Sequence, residues 1–263
     1  MLFAYSQQPL ASLGGPSNWE AYNDPALIAA LPGAALLYRR GDVQEAKTKY
    51  VFAPTPVQLF DQLISPKNSV ALRTAVERGK LVVAMPRTTE LPWLEKSQIP
   101  VGAQLITDPN ESLINVDATY AISDTGELRR NWGQGTYTID TPRSQAAIGW
   151  IGGEEIRLAD VSIAVTTRNA TVAVQSLDQA NIGEAHSILI SLGARSVPES
   201  GNRMPFHSEP VVGRLTIHAR KGLKLYKQLG PVAVQREIPT MYENGQYQIS
   251  LDRNLGTYWL MLK

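Results

Sequence analysis

The feature that most limits the fold is a change of texture near residue 103. Beyond it, short runs rich in β-branched residues and alternating with period two follow one another between Gly, Asn and Asp. They predict strands near 114–122, 135–140, 144–150, 155–158, 160–166, 171–176, 185–193, 211–217, 223–227, 232–236, 246–250 and 257–262. So many short strands at close spacing predict an antiparallel β-sandwich. Asp124-Thr125-Gly126, Gly133-Gln134-Gly135, Gly152-Gly153 and Glu243-Asn244-Gly245 read as turns, where Gly or Asn permits positive φ.

The first hundred residues read differently. Asn23-Asp24-Pro25 is an N-capping signal ahead of an apolar helix of about four turns that ends before Gly41. Pro32 and Gly33 should kink or divide it, because proline lacks an N–H and crowds the preceding turn. A short strand at 49–53, a helix within 55–64, and a helix through Val70, Leu72, Ala75 and Val76 to Gly79 follow. That last helix leads into a β-forming run at 80–85. The fold class is therefore α+β, mainly β: a small α/β segment over 1–102 and a β-sandwich domain over 103–263.

Composition removes several function classes. The 25 basic and 24 acidic residues leave a formal net charge of +1, so no global field steers the chain to nucleic acid or an anionic membrane. No cysteine is present, which excludes disulfides, thiolate metal sites and thiol nucleophiles. No run approaches the roughly 18 apolar residues of a membrane span, and residues 1–15 lack the basic start and apolar run of a signal peptide. His186, His207 and His218 stand apart without metal-ligand spacing, so no metal or other cofactor is expected. Nucleophile-elbow and nucleotide-binding glycine motifs are also missing.

Carboxylates and aromatic residues remain. Glycoside hydrolysis needs two carboxyl groups about 5 to 9 Å apart across the scissile bond. Glu20, flanked by Trp19 and Tyr22 whose rings could stack on a sugar, is one candidate, and it reads equally as a first-turn helix residue. Asp124 and Glu127 in Ser-Asp-Thr-Gly-Glu-Leu are two more, although an aspartate in a β-turn most often accepts backbone amides. Trp132 lies in a polar, glycine-rich loop where burial is less natural than for Trp93, Trp150 or Trp259. It could stack on a ring beside Arg129, Arg130 and Asn131, or fold back over a sandwich edge. Asp140 and Arg143 are placed to fix one strand corner as a hydrogen-bonded pair.

At the level of whole segments, NDPALIAALPGAALLYRRGDV (23–43) resembles the last helix of the catalytic (β/α) barrel in large, multidomain bacterial glycoside hydrolases. ALRTAVERGKLVVAMP (71–86) and LPWL (91–94) resemble the segment that follows it. SDTGEL (123–128), TIDTPRSQAAIGW (138–150), VAVQSLD (172–178) and HSILISLGARS (186–196) resemble the C-terminal β-sandwich of the same proteins. The motifs are structural in character and span most of the chain in order. The barrels of that clan carry an acid/base glutamate on strand four and a nucleophile on strand seven, and this chain has no room for either. Phe3 to Ser6 would match the final barrel strand. Trp19, Glu20 and Tyr22 would then lie near the substrate end of the barrel.

The resemblance implies a glycoside-hydrolase-associated role: an accessory β-sandwich region of a carbohydrate-active enzyme, holding polysaccharide or oligosaccharide or buttressing a catalytic barrel. Two alternatives stand beside it. The chain is a short glycosidase using Glu20, Asp124 or Glu127, or it is a protein-interaction module without catalysis. Carbohydrate-binding candidates are Trp19, Tyr22, Trp132 and Arg130. A truncated α/β layer would expose apolar surface and favour self-association, and a secreted or periplasmic parent protein stays open.

Overall fold

The computed structural model describes residues 25–84, 99, 101–115, 117–199, 203–229 and 234–263. These residues are mainly β with antiparallel sheets, and the expected fold class holds. Contacts group the chain into two compact units, Met1–Val43 with Gly135–Lys263, and Gln44–Gln134. Residues 103–134 thus cluster with 44–102.

In the larger unit the first described element is helix α1, Pro25–Arg40. It runs unbroken through Pro32 instead of dividing there. The sheet beneath it supplies donors to the carbonyls on either side of the proline. Trp259 Nε1 donates to Ala29 O at 2.9 Å, and Gln175 Nε2 donates to Gly33 O at 3.1 Å. Asp24, expected to cap this helix, and Phe3 to Ser6 lie outside the described residues.

The smaller unit contains β1 (Lys49–Phe52), α2 (Val70–Arg78), β2 (Lys80–Val83), β3 (Gln104–Ile106), β4 (Tyr120–Ile122) and β5 (Leu128–Asn131). β1 is the centre of a parallel sheet ordered β2-β1-β3, and α2 makes the crossover from β1 to β2. The Ser69 hydroxyl caps α2 by accepting from Leu72 N. Gly79 ends α2 in extended backbone, so its lack of a side chain serves a close approach and not a left-handed turn. A Cβ there would sit 2.6 Å from Thr48 O. The helix expected within 55–64 is a short π-helical turn, Val57–Asp61, closed by Gln62 N on Val57 O. Tyr50, Phe52, Ala71, Leu72, Ala75 and Ile106 form this unit's core. β4 and β5 pair as a hairpin whose turn reverses at Gly126, φ +80°.

The remaining strands belong to the larger unit: β6 (Thr136–Asp140), β7 (Ser144–Gly149), β8 (Glu155–Arg157), β9 (Val161–Val165), β10 (Ala170–Ser176), β11 (Ile188–Ala194), β12 (Ser196–Glu199), β13 (Arg203–Ser208), β14 (Gly213–His218), β15 (Leu225–Leu229), β16 (Val234–Ile238), β17 (Met241–Glu243), β18 (Gln246–Leu251) and β19 (Trp259–Leu262). One antiparallel sheet runs β16-β15-β19-β11-β10-β7-β6, and a five-stranded sheet runs β17-β18-β14-β9-β8. β12 and β13 form a separate hairpin. Asn244 and Gly245, at φ +52° and +80°, make the two-residue turn between β17 and β18 that their sequence predicts.

The alternation seen in the sequence sorts the two faces. Val172, Val174, Ile188, Ile190, Leu260 and Leu262 from the first sheet meet Val161, Ile163, Leu215, Ile217 and Ile249 from the second in one buried cluster. At about 1.5 to 3 kcal/mol for each large aliphatic side chain removed from water, this cluster dominates the unit's stability. Buried Tyr247 keeps its hydroxyl satisfied, accepting from Leu223 N at 2.8 Å and donating to Arg220 O at 3.0 Å.

Candidate functional site

The sequence candidates divide by location. Trp19, Glu20 and Tyr22 lie outside the described residues, as does Trp93. Asp124, Glu127, Arg130 and Trp132 all belong to the β4–β5 hairpin of the smaller unit. The two carboxylates sit in its turn and Trp132 just past its other end. Four residues of β5 separate them, or about 13 Å at 3.3 Å per residue. The hairpin therefore does not bring the tryptophan beside the carboxylates.

Each carboxylate is engaged with backbone. Asp124 Oδ2 accepts from Thr48 N, and Glu127 Oε2 accepts from Gln44 N at 2.8 Å, so both hold the segment that leads into β1. Burial pushes the Asp124 carboxyl up. The Thr48 and Lys47 backbone amides, the Thr48 side chain and the Lys47 charge outweigh that, and leave it below the ordinary aspartate value of 3.8. Such a group stays ionised at neutral pH, which suits a nucleophile or a structural acceptor better than a general acid. Its Oδ1 is buried without a partner among the described residues.

The far end of the hairpin carries the aromatic surface. Trp132 is 42% exposed, and its backbone N–H donates to Thr119 O at 3.0 Å. The turn around it is pinned by Asn131, whose amide group donates to Gln134 Oε1 at 2.7 Å and accepts from Gln134 N at 3.0 Å. Arg130 is ion-paired with Glu77 of α2, so it is less available to a ligand than the sequence suggests. Its neighbour Arg129 lies over the ring of half-exposed Tyr120, 4.5 Å from the centroid. The sequence offered no signal for that stack, because Tyr120 and Arg129 meet only through the hairpin register that sets Ile122 opposite Arg129.

In the larger unit, the corner expected to rest on an Asp140–Arg143 pair is held otherwise. Asp140 accepts from Ala159 N at 3.2 Å, while Arg143 reaches Asp42 at 3.0 Å and Arg40 O at 3.2 Å. Buried Asp42 also pairs with Arg40 and accepts from the Ser144 hydroxyl at 2.7 Å. This covered cluster ties the end of α1 to β7. Trp150, expected to be buried, is 57% exposed, and its ring lies against Gly135, where a Cβ would come within 2.5 Å of it.

One cleft opens at the end of the sandwich where the connection from β13 to β14 meets the 252–258 connection from β18 to β19. It encloses about 300 Å³. Leu192, Val211 and Leu255 line it as buried apolar residues, and Phe206, Tyr258, Glu209, Asp252 and Arg253 line it as aromatic and charged ones. The Tyr258 hydroxyl is hydrogen-bonded to that of Ser208, and Asp252 Oδ1 accepts from Asn254 N at 2.6 Å. These residues are far apart in sequence, and no local motif announces them.

His218 faces Asp160 at 3.4 Å, His207 faces Glu199 at 3.9 Å and His186 bonds to Arg220. Among the described residues no group of three His, Asp or Glu could hold a metal ion, and no helix is long and apolar enough to cross a membrane. Compared with family models, curated proteins and solved structures, the chain matches none of them.

Proposed function

We propose that the chain is an accessory β-sandwich region associated with a glycoside hydrolase, serving to hold polysaccharide or to buttress a catalytic domain. The observation that carries this reading is Trp132: a large aromatic face left half in water in a turn that Asn131 and Gln134 hold rigid. An ordered, exposed indole stacks on a sugar ring with little conformational entropy to lose. Tyr120, Arg129 and the segmental resemblance to multidomain glycoside hydrolases support it. The test is electrophoresis in native gels containing β-glucan, xylan or mannan. Retardation by one of them, lost in Trp132→Ala, is expected. No retardation by any of the three would leave only the buttressing role.

Catalysis by this chain alone has weaker support, because Asp124 and Glu127 each use an oxygen to hold residues 44–48. Hydrolysis of aryl glycosides by the purified chain, abolished in Glu20→Gln or Glu127→Gln, would revive it. A protein-contact role is favoured by a different surface. Val57 and Phe60 on the π-helical turn and Leu63 just past it present exposed apolar side chains, the last two 67% exposed. Light scattering reads this directly: self-association that Phe60→Ser removes would support it, and a monomer at high concentration would count against it.

A further inference from the structure

We infer that the cleft at the end of the sandwich is a second glycan subsite, taking a short stretch of neutral sugar. The inference rests on the polysaccharide reading above and adds where, in the larger unit, a chain would be gripped. Three features point to the ligand class. The volume of about 300 Å³ is at the small end of ligand pockets, too little for a large cofactor and enough for a short oligosaccharide end. The lining is amphipathic in the way a pyranose is: Leu192, Val211, Leu255, Phe206 and Tyr258 offer apolar and aromatic surface, and Glu209, Asp252 and Arg253 offer hydrogen-bonding edges. The charges are mixed in sign, with two carboxylates against one guanidinium, which disfavours phosphates and acidic sugars.

Two of these polar groups are also available. Arg253 makes no hydrogen bond or ion pair with a described residue, and Glu209 has only a long 3.8 Å approach from Arg195. The framework behind them is fixed, since Leu192 N donates to Tyr258 O at 2.8 Å and Glu209 N donates to Arg195 O at 2.8 Å. A pre-formed cleft of this kind binds without first ordering its own walls.

The experiment uses the full chain, labelled with ¹⁵N and titrated with cello-, laminari-, xylo- and mannohexaose. The expected result is that one sugar shifts the amides of 192–194, 206–211 and 252–258, and that Arg253→Ala and Glu209→Gln each weaken it about tenfold while leaving the other amides in place. Trp132→Ala should leave these shifts intact. Shifts confined to 119–134, with no loss in Arg253→Ala, would overturn the cleft while the polysaccharide reading survived. No shift with any of the four, alongside no retardation in the gels, would remove both.

Discussion

Gln145 and Asp160 are bonded to each other twice across the two sheets of the sandwich. Asp160 N donates to Gln145 Oε1 at 2.9 Å, and Gln145 Nε2 donates to Asp160 Oδ2 at 3.2 Å. Gln145, on β7, is fully buried, so its amide is satisfied only by this partner and the Thr141 carbonyl. The pair laces the edge of the apolar core, and His218 of β14 adds a contact to the same carboxylate. Gln145→Ala should destabilise the larger unit by about 2 kcal/mol, through a cavity and the unsatisfied Asp160 N–H. Urea unfolding followed by tryptophan fluorescence measures it, and a change below about 0.5 kcal/mol would show the lacing to be incidental.

Asp42 is the buried anion between Arg40 and Arg143. Removing it leaves one guanidinium nearly covered and another partly covered, without their counter-charge. Asp42→Ala should cost about 3 to 5 kcal/mol. The double variant Asp42→Ala with Arg40→Met should recover part of that loss, because an apolar side chain replaces the stranded charge. No recovery in the double variant would mean that the hydrogen bond from Ser144, and not the charge balance, is what matters.

Glycines 149 and 153 separate two kinds of conformational demand. Both have positive φ, +104° and +94°. A Cβ at Gly149 would come within 2.2 Å of Gly135 O, and one at Gly153 meets nothing within 4 Å. Gly153→Ala should therefore cost about 1 to 2 kcal/mol for the backbone alone. Gly149→Ala should cost clearly more and disturb the β6–β7 pairing. Equal melting temperatures in the two variants would contradict this.

Two partly covered aspartates, Asp124 and Asp178, contribute to the loss of stability in acid. Burial raises the Asp178 carboxyl, and the backbone amides of His186 and Ala180, the Ser176 hydroxyl and the His186 charge outweigh it, so the group lies below 3.8 as Asp124 does. Because the unfolded chain holds these protons more tightly, each group stabilises the fold above the unfolded value. That contribution is lost as the pH falls through the depressed folded value. Denaturant midpoints measured from about pH 5 down to about pH 2 should fall, and Asp178→Asn should flatten the fall. An unchanged slope in that variant would remove Asp178 from the account.

Much of the architecture was legible because it follows from short-range rules. Alternating burial in Val161–Val165 and Gln246–Leu251 and the paired positive φ of Asn244 and Gly245 are local properties of a few residues. The strands that escaped, β3, β5, β12, β13 and β17, are short or carry charged and polar residues such as Arg129, Arg130, Glu199 and Glu243. Their periodicity is too weak to separate from loop. Trp150 differs from the expectation for a related reason: a tryptophan at the end of a strand is usually covered, and only the fold shows that its ring rests on Gly135 and stays 57% exposed.

The candidate site shows the same boundary. Sequence alone determined the mainly β class, the sandwich and the residue types able to contact sugar, since these depend on composition and on repeats of two or three to four residues. Which of those residues are free was decided by tertiary structure. Asp124 and Glu127 are drawn onto the amides of 44–48, Arg130 onto Glu77, and Phe206, Asp252 and Tyr258 are gathered into one cleft from separate connections. The reason is physical: a hydrogen-bond partner or a cleft wall is set by strand register and sheet packing over separations of tens of residues, and no local pattern encodes those distances.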